Sequence, residues 1–103
     1  MFFNFFFLRV NGNSMGTFIP HQSFVLVKSD RKFYKISKLL VFKHKKYGRL
    51  IKKLVKIDKN NFYWFEGLSN ESISQKKIGP ISKESIFGKV VLSIDTKKIK
   101  LHL

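Results

Sequence analysis

The stretch KLLVFKHKKYGRLIKKLVKI, residues 38–57, decides the fold that this sequence predicts. Two apolar runs, residues 38–43 and 50–57, flank the polar segment KHKKYG. Short aliphatic and aromatic runs on either side of a turn signal indicate two strands joined by a loop. The stretch therefore predicts two strands of a mostly antiparallel β structure.

Four more runs have the same character, and polar corners such as NGN, KSDRK, DKNN and GLSN separate the runs. They are residues 5–10, 23–28, 62–66 and 86–94. Because no long helical period is present, we predict a mainly β fold, a small antiparallel β-barrel or coiled sheet. The continuously apolar runs SFVLVK and KLLVFK predict strands covered on both faces. Residues 69–82 are polar and predict a long irregular connection.

Length and composition limit the possible functions. The 103 residues predict one domain over residues 1–103, and 44% hydrophobic content is enough for a single core. The absence of cysteine excludes disulfides, thiolate chemistry and cysteine-based zinc sites. His21, His44 and His102 lie far apart without metal-ligand spacing, so we expect no metal and no cofactor.

The net charge of +15 attracts phosphates or an anionic membrane surface through its long-range field. The lysines are spread along the chain, and no zinc-finger, homeodomain or RNP-type pattern accompanies them. We therefore expect a solvated basic surface without dedicated nucleic-acid binding, and weak contact with an anionic membrane surface stays open. A non-catalytic basic module that binds nucleic acid through its lysines and the aromatic run FYWF, residues 62–65, is the alternative from another function class.

The Phe-rich start MFFNFFFLRV has too few apolar residues for a membrane span and lacks the flanks of a signal peptide. It predicts either a buried first strand or an aromatic segment that lies at a membrane interface. We accordingly expect a cytoplasmic protein without a transmembrane span, in possible association with a membrane surface.

One serine and a pair of lysines could carry chemistry. Ser14 lies in RVNGNSMGTF, and none of the three histidines is placed to form a Ser-His-Asp arrangement with it. A lysine can act as the base instead, if burial keeps its amine neutral. Lys52 and Lys53 lie within RLIKKLVKI and would face opposite sides of a strand. Periodicity does not choose between them, and both could instead extend to water from a sheet edge.

Four segments, taken in order over residues 9–92, resemble the signal peptidase I family of Ser/Lys peptidases. The first is the glycine two residues before a Ser-Met pair, matched by Gly12, Ser14 and Met15. Two apolar strands follow, SFVLV and KLLVF, and then LIKKLV, in which Lys53 replaces an arginine. The last segment, residues 66–91, matches at Gly67, Ser72, Lys76, Gly79, Pro80, Gly88, Lys89 and Val90.

This resemblance implies a fold of the LexA and signal peptidase type and assigns roles to single residues. Ser14 would be the nucleophile, Lys52 the general base, and Ser72 the residue that orients the lysine. Gly12, Ser14 and Met15 would form the loop around the oxyanion. The sequence departs from the family pattern where Gly16 to Ile19 lack its proline, where Gln22 and Ser23 replace Gly-Asp, and where Ser74 replaces an aspartate.

Short forms of the family resemble this chain best, in particular the maturation proteases of nickel-type superoxide dismutase. That resemblance implies a precursor protein with an N-terminal leader as substrate. A compact signal peptidase that works at a membrane surface is the alternative in the same chemical class. Self-cleaving repressors of the LexA type share the chemistry, but 103 residues leave no room for their DNA-binding domain and internal cleavage site.

Overall fold

The computed structural model describes residues 4–11, 19, 21–29, 34–67, 74–95 and 99–102. In this part of the chain seven strands form one antiparallel sheet, which confirms the mainly β prediction. A one-turn helix, α1 (Gln75–Ile78), and a 3-10 turn (Lys83–Ser85) complete it. The strands are β1 (Asn4–Arg9), β2 (Phe24–Ser29), β3 (Leu39–His44), β4 (Gly48–Ile57), β5 (Tyr63–Glu66), β6 (Ile86–Ile94) and β7 (Ile99–Leu101).

The strand order is β1-β2-β6-β3-β4-β5, and β7 pairs with β6 as well. The six apolar runs match the first six strands to within two residues at each end. The sequence pattern did not reveal β7, a three-residue strand with a central lysine. The polar connection before β6 is less irregular than predicted, because Ser74 caps α1 by accepting a hydrogen bond from the backbone N–H of Lys77.

Two apolar clusters pack on opposite faces of the sheet. Neighbouring residues of a strand point to opposite faces, and in β3 Leu40 belongs to one cluster and Val41 to the other. The Leu40 cluster covers β3, β4 and β5 and includes Ile78 and Ile81 from the connection before β6. Ile81 also exchanges two backbone hydrogen bonds with Tyr63, at 2.8 and 2.9 Å, which fixes this connection to β5.

Burial differs between the two strands predicted to be covered on both faces. In β3 the four residues from Leu39 to Phe42 are all buried, as predicted. In β2 the prediction is wrong, because Phe24 is 45% exposed and Leu26 is only half-buried. The physical reason is that the Leu40 cluster, which lies on the same face of the sheet as Phe24 and Leu26, includes no residue of β2.

The Phe-rich strand β1 is buried on one face only. Phe6 and Leu8 pack against the Val41 cluster, whereas Phe5 and Phe7 point away from it and are exposed. The prediction of a buried first strand therefore holds for one face and is wrong for the other. Among the described residues, no helix has the length and apolar character needed to cross a membrane.

Candidate active site

Lys52 lies in the middle of β4, between β3 and β5, and its side chain is fully buried. It shares its face of the sheet with Leu50 and Leu54, and Leu40 lies directly opposite on β3. Within the described part of the chain, its Nζ atom has no hydrogen-bond partner. An amine in such surroundings lacks both water and a counter-charge to stabilise its protonated form.

Burial consequently lowers the pKa of Lys52 from its ordinary value of 10.5. Removal from water disfavours the charged ammonium, so a larger fraction of the amine is neutral at a given pH. A neutral amine can accept a proton. Lys52 therefore has the chemical property that a general base requires.

Lys53, its neighbour, points to the opposite face and behaves differently. Its side chain is 34% exposed, and its Nζ lies 3.8 Å from Oε1 of Glu66 on β5. Water and a carboxylate are therefore both within reach of this amine, unlike that of Lys52. The two lysines that periodicity left equivalent are thus physically distinct. The alternative that both extend to water from a sheet edge is wrong, since β4 is an interior strand.

Gly12, Ser14, Met15 and Ser72 lie outside the described residues. The chain on either side of the Ser14 segment is well anchored. Val10 donates its backbone N–H to the carbonyl of Ser23 at 2.7 Å and accepts a hydrogen bond from the N–H of Gln22 at 2.8 Å. Ile19, inside the same connection, is fully buried in the Val41 cluster. The strand end before Ser14 and the strand start after it are therefore held side by side.

A cavity of about 260 Å³ lies between the end of β1 and the first half of β4. Residues 8–11 and 49–51 line it. Asn11 precedes Ser14 by three residues, and Ile51 immediately precedes Lys52. The cavity thus lies beside the two stretches of chain that precede the predicted nucleophile and the predicted base, and Lys52 itself is not among its lining residues.

The Peptidase S24-like family matches residues 3–91 of this sequence. The match includes β1, the Ser14 segment, Lys52 and most of β6. This chain belongs to the Peptidase S24-like family. Membership indicates serine peptidase function, and the antiparallel β fold is consistent with it. No curated protein and no solved structure matches the chain.

This S24-like peptidase also has a buried hydroxyl that the sequence pattern did not single out. Ser23 is 1% exposed, and within the described residues its Oγ has no hydrogen-bond partner. The backbone carbonyl of Ser23 accepts the hydrogen bond from Val10 that joins the two ends of the Ser14 segment. The available signal was its position before an apolar strand, where the resemblance places an acidic residue.

The histidines of the S24-like chain have structural partners. His44 accepts hydrogen bonds at Nδ1 from the backbone N–H groups of Lys46 and Tyr47, so its Nε2–H donates to the carbonyl of Ile78 at 2.8 Å. His102 Nε2 lies 2.9 Å from Oγ of Ser93, which is buried. Burial, followed by the nearby charge of Lys100, lowers the pKa of His102. No group of three potential metal ligands occurs in the described part of the chain.

The aromatic run at residues 62–65 serves mainly the core of the fold. Tyr63 and Phe65 are buried, and Phe65 stacks on Phe42 with ring centroids 4.2 Å apart. Trp64 donates its Nε1–H to Oδ2 of Asp58 at 3.0 Å, and the Lys56 amine lies 4.9 Å from its ring centre. A surface on which successive bases stack needs several exposed rings. Two of the four rings of this run, those of Tyr63 and Phe65, are buried.

Proposed function

We propose that this S24-like peptidase is a serine endopeptidase with a Ser14/Lys52 dyad that removes an N-terminal leader from a precursor protein. The observation that carries the proposal is the fully buried Lys52 amine, which has no hydrogen-bond partner among the described residues and whose pKa is lowered by burial. An unpartnered buried amine destabilises a fold, so its presence is explained best by a chemical role.

In the proposed mechanism, Oγ of Ser14 attacks the carbonyl carbon of the scissile peptide while the neutral Lys52 amine accepts the hydroxyl proton. The same amine then gives this proton to the departing nitrogen. Ser72 orients the lysine. The backbone N–H of Ser14, in the loop of Gly12 and Met15, donates to the oxyanion of the tetrahedral intermediate. Water then hydrolyses the acyl-enzyme by the same proton transfers.

The described backbone on either side of the two residues supports this pairing. The cavity between β1 and β4 joins the chain just before Ser14 to the chain just before Lys52. The backbone bonds of Val10 hold the ends of the Ser14 segment at that cavity.

The substrate is expected to bind as an extended strand. β1 ends the sheet on one side, so a peptide can add main-chain hydrogen bonds along it. The resemblance described above favours small residues ahead of the cleaved bond. The precursor of a nickel-type superoxide dismutase is the first candidate substrate.

The test is cleavage of that precursor by the parent protein, Ser14→Ala and Lys52→Met, with N-terminal sequencing of the product. We expect each variant to lose at least about 10³-fold in kcat/KM, as when one member of a catalytic unit is removed. Ser29→Ala and Lys53→Met are the matched controls and should retain the parent rate.

Two outcomes separate the parts of the proposal. If both dyad variants cleave at the parent rate, the dyad is refuted. If the parent leaves the dismutase precursor intact but cleaves other leader peptides from a library, and the dyad variants do not, the dyad stands and the dismutase assignment is refuted. Cleavage of no substrate by the parent, with tight binding of single-stranded nucleic acid, would favour the non-catalytic basic module.

A further inference from the structure

An apolar face extends over β1, β2, β6 and β7, and no described element of the chain covers it. The strand register places its residues in cross-strand rows. Phe7 of β1 is opposite Leu26, Leu26 is opposite Leu92, and Leu92 is opposite Leu101 of β7. Partners in an antiparallel register point to the same face, so these four apolar side chains form one continuous row.

Two further rows flank this central one. On one side Arg9, Phe24, Ile94 and Ile99 are opposite one another in turn. On the other side Phe5 is opposite Lys28, which is opposite Lys89. The lipophilic face is defined here by its eight apolar members, Phe5, Phe7, Phe24, Leu26, Leu92, Ile94, Ile99 and Leu101.

Several apolar side chains of this face are largely exposed. Phe7 is 60% exposed and Leu101 is 68% exposed, while the neighbouring members Leu26 and Leu92 are half-buried. Large contiguous apolar patches on a protein surface mark sites of interaction with another protein or with a membrane. The opposite face of β1, β2 and β6 packs in the Val41 cluster, so the exposed apolar residues Phe5, Phe7 and Phe24 of these strands are on one side.

The charges around the lipophilic face select between possible partners. Its rows include three basic residues, Arg9, Lys28 and Lys89, and its four strands contain no aspartate or glutamate. Lys28 and Lys89 lie directly opposite each other, and like charges in that arrangement repel. The basic character of this row matches a partner of negative charge. A second copy docked by the same face would place like charges together, since a two-fold contact joins identical surfaces.

We propose that the lipophilic face docks on an anionic membrane surface, with its apolar side chains in the interfacial region and the flanking lysines and arginine against lipid phosphates. Apolar burial and cationic attraction are the two contributions that hold a protein at such an interface. The net charge of +15 strengthens the attraction over longer distances.

The docking face and the candidate base are on the same side of the sheet. Lys89 of the flanking row is opposite Leu40, and Leu40 is opposite Lys52. Two strand spacings, about 10 Å, therefore separate the backbone of Lys52 from the lysine row at the edge of the face. Docking would bring the candidate peptidase site close to a leader held at the membrane.

The experiment is flotation of the full chain with two kinds of vesicle, pure phosphatidylcholine and equal parts of phosphatidylcholine and phosphatidylglycerol. We expect binding to the anionic vesicles only, with a decrease at high salt. Phe7→Ser and Leu101→Ser should each lower the partition coefficient about tenfold, because each loses most of one apolar side chain. Lys89→Gln should weaken binding and reduce its salt dependence.

Phe62→Ser is the matched control, since Phe62 is 39% exposed but lies outside the lipophilic face. Its partition coefficient should be within about twofold of that of the parent protein, which is less than the loss of one buried apolar side chain would cause. Ser14→Ala should also bind like the parent, so a failed cleavage assay and a failed membrane assay remain separate results.

Equal losses for Phe7→Ser and Phe62→Ser would refute the docking face, as would equal binding to neutral and anionic vesicles. Sedimentation without lipid tests whether a second copy of the chain binds to this face instead. A parent dimer that Phe7→Ser and Leu101→Ser both convert to monomer, without binding of the parent to vesicles, would assign the face to a second copy and overturn the proposal.

Discussion

Lys52 on β4 lies directly opposite Leu40 on β3, and both side chains are fully buried. The pairing sets the amine in an apolar layer at the centre of the sheet. Because no described group donates to or accepts from Nζ, desolvation acts on it without compensation. This one relationship gives rise to expectations for both activity and stability.

Peptidase activity should rise with pH. The lowered pKa of Lys52 places the conversion from ammonium to free amine below pH 10.5, and only the free amine can accept the Ser14 proton. We expect kcat/KM to increase through this transition and to level off above it. A pH–rate profile of the parent protein measures this, and a rate that stays constant or falls over the rising limb would contradict the assignment.

Replacement of Lys52 by methionine should stabilise the fold while it abolishes activity. A buried polar group without a hydrogen bond costs about 1–3 kcal/mol, and methionine fills a similar volume without that cost. Chemical denaturation at neutral pH measures the difference in the free energy of unfolding. Lys53→Met, the control at a half-exposed position, should change that free energy by less than about 0.5 kcal/mol. A less stable Lys52→Met protein would show that the amine has a stabilising partner.

The stability of the parent protein should depend on pH through the same lysine. In the unfolded chain Lys52 has its ordinary pKa of 10.5, and in the native state its pKa is lower. Between the two values the unfolded state binds more protons, so the free energy of unfolding increases as the pH rises to about 10.5. Denaturation across this range should show the increase in the parent and its loss in Lys52→Met. Identical pH dependence of both proteins would contradict the prediction.

The single tryptophan should report the titration of Asp58. Hydrogen bonds from Trp64 and from the backbone of Phe62 and Asn60 lower the pKa of Asp58 from 3.8, with a smaller contribution from Lys56. The carboxylate therefore stays ionised until the pH falls below 3.8, and its stabilising effect is lost as the pH falls through the native pKa. We expect Trp64 fluorescence to change below that pH in the parent and not in Asp58→Asn. A transition near pH 3.8 or above would show that these bonds are weak.

Gly88→Ala should be strongly destabilising for a steric reason. An added Cβ would collide with the backbone oxygen of Lys28 and would lie 2.9 Å from its carbonyl carbon, so β2 or β6 has to move. We expect a loss of about 1–3 kcal/mol in the free energy of unfolding, the usual cost of overpacking. Gly48→Ala is the comparison, because no atom lies within 4 Å of its added Cβ and only its φ of +76° opposes the change. Thermal denaturation should place Gly88→Ala below Gly48→Ala, and the reverse order would be inconsistent with close strand contact at Gly88.

Strand positions followed from the sequence because they depend on local composition. The runs at residues 38–43 and 86–94, for example, are strands within one residue at each end. The sequence did not predict β7 because its three residues, Ile99, Lys100 and Leu101, are too short a pattern to indicate a strand. They form one through pairing with β6. The sequence also did not predict the helix cap at Ser74, because this serine is one of many polar residues in its stretch.

For the candidate site, too, the sequence predicted some features and left others to the structure. The sequence proposed Ser14, Lys52 and Ser72 by resemblance, and these roles remain predictions. Alternation along β4 separated Lys52 from Lys53 but did not say which of them faces the core.

By itself, then, the sequence determined a mainly β chain with a serine and a lysine pair in an order typical of Ser/Lys peptidases. Tertiary structure alone decided that Lys52 is buried and Lys53 meets Glu66, and that Phe5 and Phe7 remain exposed while Phe6 is covered. The physical reason is that burial depends on which residues from distant strands cover each face of the sheet. A strand's own pattern defines two faces but does not determine what packs against them.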